Sequence, residues 1–437
     1  MESFRMGGDI QNRRVFRNPW LWVPSLYYAE AVPYVVVNAV SVILYKRLDV
    51  SNTNIAFLTS WLYLPWVIKP FWSPFVDMFR TKRYWVIALE LIIALSLAAL
   101  SFVLPLSFRL QITLLIFWLM AFASATHDIA ADGFYMLGLD SHQQAAFVGV
   151  RSTFYRIATI AGQGLLVMFA GFMESSGNSV TAAWSAAFLL LSVLFLVLFV
   201  YHRFILPFPV ADKEVSGDRP GESRWSEFKS TVTSYFDRPG IGGAIAFLLL
   251  YRFAEAQLVK MVAPFLLDPL AKGGLGLTTS EVGFAYGTAG IIALMCGGLL
   301  GGYVVSQRGL RRWLWPMILA IHLPDVVFLF LAREQPGSFW IVCSAVGLEQ
   351  FGYGFGFTAY LLFMILISEG KHATAHYAIC TGFMALGMAL PGMMSGAIQE
   401  WLGYKGFFLW VLLSTIPGYL VPLLVKIPDQ FGLKRGQ

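Results

Sequence analysis

Twelve stretches of about 20 apolar residues recur along this chain, each long enough to cross the hydrocarbon of a bilayer as a helix. Their centres fall near Val35, Val67, Ile93, Met120, Ile160, Leu190, Val259, Ile292, Ile321, Tyr353, Leu386 and Leu413. Backbone groups in lipid must be satisfied within the spanning segment, and no two-residue alternation suggests a closed barrel, so helices are expected throughout. Composition excludes a soluble core. Only 13% of the residues are charged and 57% are hydrophobic, against about 25% charged in a soluble domain. The predicted class is an all-α polytopic membrane protein.

The first nineteen residues, MESFRMGGDIQNRRVFRNP, are polar and basic, and the apolar run after them is full length without a small-residue cleavage site. They read as an arm before an uncleaved first span. With that arm inside, alternate loops on its side carry 20 Lys and Arg residues and the opposite loops carry 6, namely Lys46, Arg47, Arg109, Lys272, Arg333 and Lys405. Basic residues accumulate on the cytoplasmic side, so both termini are expected there. The net charge of +6 then reports topology and implies no nucleic-acid partner. Cys296, Cys343 and Cys380 lie in or beside apolar runs without CxxC spacing and are expected to be free and buried.

The longest loop follows span six. Its middle, ADKEVSGDRPGES, has linker composition, and its end places Trp225, Phe228, Val232 and Tyr235 at helical spacing, predicting a short helix on the inner membrane surface. This divides the chain into residues 1–203, a linker of 204–237, and residues 238–437. The two halves look duplicated. YYAEAV at 27–32 answers RFAEAQ at 252–257 at an offset of 225, LDVSNTNIAF at 48–57 answers LGLTTSEVGF at 275–284 at 227, and DMFRTKR at 77–83 answers SQRGLRR at 306–312 at 229. A parallel repeat of six spans is the plan of the major facilitator fold, two six-helix bundles with the substrate site expected near the bilayer midplane.

Span four contains THDIAADGF, Thr126 to Phe134, in otherwise apolar surroundings. A charged side chain at that depth costs about 2.5–3.5 kcal/mol on insertion scales and calls for a partner. Span five supplies Arg151 and Arg156. In an antiparallel hairpin, residues whose numbers add to the same total lie at equal depth, and Asp128 with Arg156 matches Asp132 with Arg151 to within one residue. Asp128 and Asp132, four apart, share a helix face. Two readings stay open: structural ion pairs that fix helix register, or acids that exchange protons beside guanidiniums that keep their charge.

ATHDIAADG resembles the "ATQDIAxDA" signature of the AmpG-type muropeptide permeases and acetyl-CoA transporters, a branch of the major facilitator superfamily. KPFWSPFVD at 69–77 resembles their "KFLWAPLVD", FDRPG at 236–240 with LLYRFAEA at 249–256 resembles "RRPG...LLYKLGDA", and FYRIA at 154–158 resembles "GYRxG". His127 departs from the family's Gln, Arg151 is outside the common pattern, and Ser306 and Gln307 replace the Asp and Arg of a complete loop motif. The resemblance implies proton-driven import of a sugar-peptide or other bulky polar molecule across a bacterial inner membrane.

Further candidates follow. Glu30 and Glu255 are repeat equivalents within AEA tripeptides. Glu30 joins Asp128 and Asp132 as a proton-coupling candidate, with Arg151 and Arg156 as partners. Arg252 and Lys260 stand near Glu255, each able to pair with it or meet an anionic cargo. Tyr28, Tyr155, Gln163, Gln257 and Lys69 complete the cargo-binding candidates. Lys69, between Pro65 and Pro70, is expected in an irregular segment or snorkelling to the interface. Asp325 and Glu349 are further intramembrane acids without an assigned role. Gly352, Gly354 and Gly356 are expected to permit close helix contact. Asp77, Arg80, Lys82 and Arg83, with Arg308, Arg311 and Arg312, are expected to form a cytoplasmic latch. No HExxH, paired metal ligands or Ser/His/Asp grouping points to an enzyme, and no cofactor or metal is expected. The expected partners are a small-molecule solute, protons and lipid, with a monomer as the working unit. A siderophore, CoA ester or saccharide cargo, or a receptor that binds without transporting, stays open.

Overall fold

The computed structural model describes residues 18–209, 212, 224–370 and 373–432. Among them nine stretches are long and apolar enough to cross a membrane: Pro19–Arg47, Lys82–Val103, Arg109–Gly138, His142–Ser175, Val180–Ile205, Thr279–Arg308, Leu310–Glu334, Phe339–Ser368 and Ala375–Leu424. The last is two spans joined end to end, and two others are missing because each is broken. Span 2 consists of Asn52–Trp61 and Leu64–Met78, and span 7 of Ile241–Leu250 and Phe253–Leu267. Twelve spans result, numbered 1 to 12 in chain order. Gly403, at φ 68°, marks the corner between spans 11 and 12, a conformation that glycine adopts without steric cost.

Local sequence explains the interruptions. Pro33 lies inside Val23–Val35, and one π-helical turn follows at Val36–Val40 before the helix resumes at Ser41. Span 5 carries a π turn at Ile160–Leu165 over Gly162 and Gly164, and span 8 another at Gly283–Ala289. Such turns widen a helix by one residue and cluster where function needs an irregular wall. Span 9 breaks into a short 3₁₀ turn, Leu323–Asp325, at Pro324.

The chain groups into two compact units: residues 1–37, 71–162 and 173–218, and residues 38–70, 163–172 and 219–437. The boundary cuts spans 1, 2 and 5, of which residues 38–47, 52–70 and 163–172 belong to the second unit. In the first unit an aromatic core forms around Trp22 and Phe134, with ring centroids 5.2 Å apart, and Tyr27 and Tyr135, 5.7 Å apart. In the second, Phe247, Tyr251, Tyr360 and Phe363 pack together, with Phe247 and Phe363 at 4.3 Å.

The glycines of span 10 meet neighbouring backbone. A Cβ on Gly354 would sit 2.0 Å from the Leu294 carbonyl oxygen, and one on Gly352 2.2 Å from that of Ala320. Three expectations need correction. The Pro65 and Pro70 segment is regular helix within Leu64–Met78, and the break comes earlier, at Leu62 and Tyr63; Pro65 falls in the first turn, where its missing donor costs nothing. Cys296 is exposed on span 8, whereas Cys343 and Cys380 are buried. The linker helix forms at Arg224–Phe236, but Tyr235 is fully buried against span 11, its hydroxyl 3.3 Å from Cys380 Sγ. The side chains of Trp225 and Phe228 lie outside the described residues.

Candidate functional site

In the first unit, Asp132 of span 4 meets Arg151 of span 5, with Arg151 Nη2 3.1 Å from Asp132 Oδ1. The Tyr27 hydroxyl of span 1 donates to the same carboxylate oxygen at 2.9 Å. The Arg151 guanidinium lies 4.5 Å from the Tyr27 ring centroid and 5.4 Å from that of Tyr135, both within cation–π range. The side chains of Arg151 and Asp132 remain 33% and 37% exposed, so the charges stay reachable. Asp128 and Arg156 are partly buried on the same two spans, as are Tyr28 and Tyr155 on spans 1 and 5, while Glu30 is buried.

Span 4 also carries His127, fully buried, with its Nε2 3.5 Å from Oε1 of Glu90 on span 3. His202 of span 6 approaches the same oxygen, Nδ1 to Oε1 at 2.5 Å, and its Nε2 lies 2.8 Å from Ser25 Oγ. Four spans are thereby tied through one buried acid. The repeat and the Asp–Arg matching gave no hint of it, although Glu90 as a lone acid within a 22-residue apolar helix was the available signal.

In the second unit the span 7 residues separate. Lys260 Nζ donates to Thr59 Oγ1 at 2.9 Å and sits 5.0 Å from the Tyr63 ring centroid. Arg252 donates to the Tyr353 hydroxyl and stacks 4.5 Å from the Phe357 ring centroid. Glu255 therefore pairs with neither base by hydrogen bond; it faces Asp325 and Glu349. Gln257 accepts from Trp410 Nε1 at 2.8 Å and donates to Ser414 Oγ at 3.4 Å, which ties span 7 to span 12. Gln163 is buried in the π turn of span 5, and Lys69 is partly buried on span 2.

A second network of this unit centres on Lys46, whose place in the sequence reports loop topology and carries no sign of a partner. Lys46 Nζ lies 2.7 Å from Asp268 Oδ2 and 2.8 Å from Asn52 Oδ1. Tyr404 donates to the same Asp268 oxygen at 2.6 Å, and Asn52 Nδ2 donates to Gln399 Oε1 at 2.6 Å. Beside it a Cβ on Gly396 would fall 2.0 Å from the Asn52 carbonyl oxygen.

The basic loop residues are anchored near home. The backbone N–H groups of Lys82 and Arg83 donate to Asp212 at 2.7 and 3.0 Å, an anion at a helix N-terminus. Arg83 stacks 3.9 Å from the Phe208 ring centroid and Arg80 5.6 Å from that of Tyr84. Arg311 pairs with Asp429, and Arg308 and Arg312 are exposed. The Asp77 side chain lies outside the described residues.

The model of the Major Facilitator Superfamily matches residues 27–390. The chain belongs to the Major Facilitator Superfamily. Among relatives of this facilitator, a transporter named AmpG 4 of Rickettsia conorii is 26% identical over 390 residues, covering 85% of this chain and 88% of the relative. The anhydromuropeptide permease of Escherichia coli K12 is 21% identical over 376 residues, covering 83% and 70%. Among solved structures, a point mutant of the nucleoside transporter NupG superposes with a TM-score of 0.70 at 14% identity, covering 94% of this chain and 100% of NupG. The facilitator fold is thus established, the chain is a multi-pass membrane transporter of small solutes and not an enzyme, and its kinship lies with AmpG-type permeases.

Proposed function

We propose that this facilitator imports muropeptides, N-acetylglucosamine–anhydro-N-acetylmuramyl peptides, together with protons across the bacterial inner membrane, as a monomer with both termini cytoplasmic. The observation that carries the coupling is the Asp132–Arg151 pair. It is a charge-assisted contact at 3.1 Å, braced by Tyr27 and left about one-third exposed. A guanidinium keeps its charge, whereas a carboxylate can be neutralised by a proton, so protonation releases Arg151 and changes the pairing. Asp128 and Glu30 act as further proton acceptors and Arg156 as a second partner. Protonation removes a charge from within the membrane span and lowers the cost of moving between access states.

Cargo recognition is assigned to Tyr28 and Tyr155 in the first unit and to Gln163, Arg252, Glu255, Gln257, Lys260 and Lys69 in the second. The permease relative in Escherichia coli supports the cargo class. Asp77, Arg80, Lys82 and Arg83, with Arg308, Arg311 and Arg312, serve as the latch. The test is uptake of labelled muropeptide into proteoliposomes under an inward acid gradient, wild type against Asp128→Asn. Uptake that follows the gradient in wild type and loses that dependence in the variant supports the reading. An unchanged pH dependence removes Asp128 from the proton path. Binding without counterflow would make the protein a receptor, and competition by a siderophore, CoA ester or simple saccharide would reassign the cargo.

A further inference from the structure

Three acids of the C-terminal half meet inside the protein. Glu255 of span 7, Asp325 of span 9 and Glu349 of span 10 are each at most 1% exposed, and one carboxyl oxygen from each lies within 4.8 Å of the other two. Both oxygens of Glu255, both of Asp325 and Oε1 of Glu349 are buried without a hydrogen-bond partner. Buried polar atoms are satisfied as a rule, so unpartnered oxygens converging from three elements call for a shared donor. No base of span 7 supplies it, since Lys260 is engaged with Thr59 and Arg252 with Tyr353 and Phe357. Like charges this close in a dry setting cannot all persist, and the group titrates as a unit.

We propose that Glu255, Asp325 and Glu349 form a proton-binding site in the C-terminal half, sharing protons among three carboxyls and chemically separate from the Asp132–Arg151 pair. Protons fit better than a metal ion. Gln350 Nε2 donates to Glu349 Oε2 at 3.0 Å; it turns an N–H toward the acids, where a cation would want an oxygen. A shared proton also supplies the donor that each orphaned oxygen lacks. Among the described residues, the titratable groups close enough to act on the acids electrostatically are Arg252 of span 7, Tyr286 of span 8 and Tyr419 of span 12. His322 of span 9 turns its ring to Tyr419, 5.3 Å between centroids. Arg252 is the positive charge in that set, and it makes no hydrogen bond to the unpartnered carboxyl oxygens, so protons are left to neutralise the acids.

The acids also stand at helix interruptions. Glu255 follows the break at Tyr251 and Arg252, and Asp325 closes the 3₁₀ turn at Pro324. Small movements of spans 7 or 9 would therefore change how the carboxyls share protons. Any use of these protons in transport rests on the coupled-import reading above; their binding does not.

The test is infrared spectroscopy of the full chain in liposomes at neutral pH, in light and heavy water, comparing wild type with Glu255→Gln, Asp325→Asn and Glu349→Gln. Wild type is expected to show the carbonyl stretch of protonated carboxyls, shifted in heavy water, and each variant is expected to lose part of it. Asp132→Asn is expected to leave it intact. If one variant fails to fold, the other two carry the same readout. A wild-type spectrum without that band overturns the proposal, as does a band that disappears on adding sodium or calcium chloride, which would make the site a metal site. Cargo uptake does not enter this readout, so failure of the import reading and failure of the proton site are told apart.

Discussion

Lys46 at the end of span 1 and Asp268 at the end of span 7 form an ion pair at 2.7 Å, with side chains only 13% and 7% exposed. The residues come from the two sequence halves yet belong to one compact unit. Tyr404 and Asn52 complete the bonding of both partners. Removing one member of a buried pair strands the other, at a cost of about 3–5 kcal/mol, whereas replacing both with apolar residues is far less costly. Asp268→Leu is therefore expected to lower the thermal unfolding temperature in detergent, and Lys46→Met/Asp268→Leu to recover most of the loss. Equal stability of the single variant and wild type would show that the pair holds nothing.

The Asp132–Arg151 pair predicts the opposite balance. Its exposure limits its share of stability to about 0–1 kcal/mol, while its proposed work is in coupling. Asp132→Asn should melt within a degree or two of wild type yet lose acid-driven uptake by on the order of tenfold or more, with counterflow of labelled muropeptide retained. Arg151→Lys keeps the charge but lacks the planar group stacked on Tyr27 and Tyr135, so an intermediate loss is expected. Full uptake in both variants would return the pair to a structural role.

Glu90 is held by His202 at 2.5 Å and approached by His127 at 3.5 Å. His202→Leu should destabilise by roughly 3 kcal/mol because a buried acid loses its nearest partner. Glu90→Leu/His202→Leu should be markedly more stable than His202→Leu alone. Thermal denaturation of the purified variants decides, and a double variant as weak as the single one would contradict the pairing.

Helix contact through glycine gives a clean comparison. Gly354→Ala places a methyl 2.0 Å from the Leu294 carbonyl oxygen, whereas Gly302→Ala meets nothing within 4 Å. Overpacking of that kind costs about 1–3 kcal/mol, so Gly354→Ala is expected to melt lower and Gly302→Ala to match wild type. Equal melting of the two would mean that spans 8 and 10 separate freely.

The chain's own order of residues determined a great deal. Apolar runs of span length, a scarcity of charge and a six-span repeat led to twelve helices and the facilitator fold, because lipid leaves the backbone few other ways to satisfy its hydrogen bonds. Asp132 and Arg151 were legible as neighbours because an antiparallel hairpin converts residue number into depth. Partners further apart in the chain were not. Glu90 with His127 and His202, Lys46 with Asp268, and Glu255 with Asp325 and Glu349 join spans whose rotation and mutual order no periodicity encodes. Spacing along one helix reports which face a residue occupies. Only packing decides which other helix that face meets, and so whether a buried acid ends beside a base, a histidine or another acid.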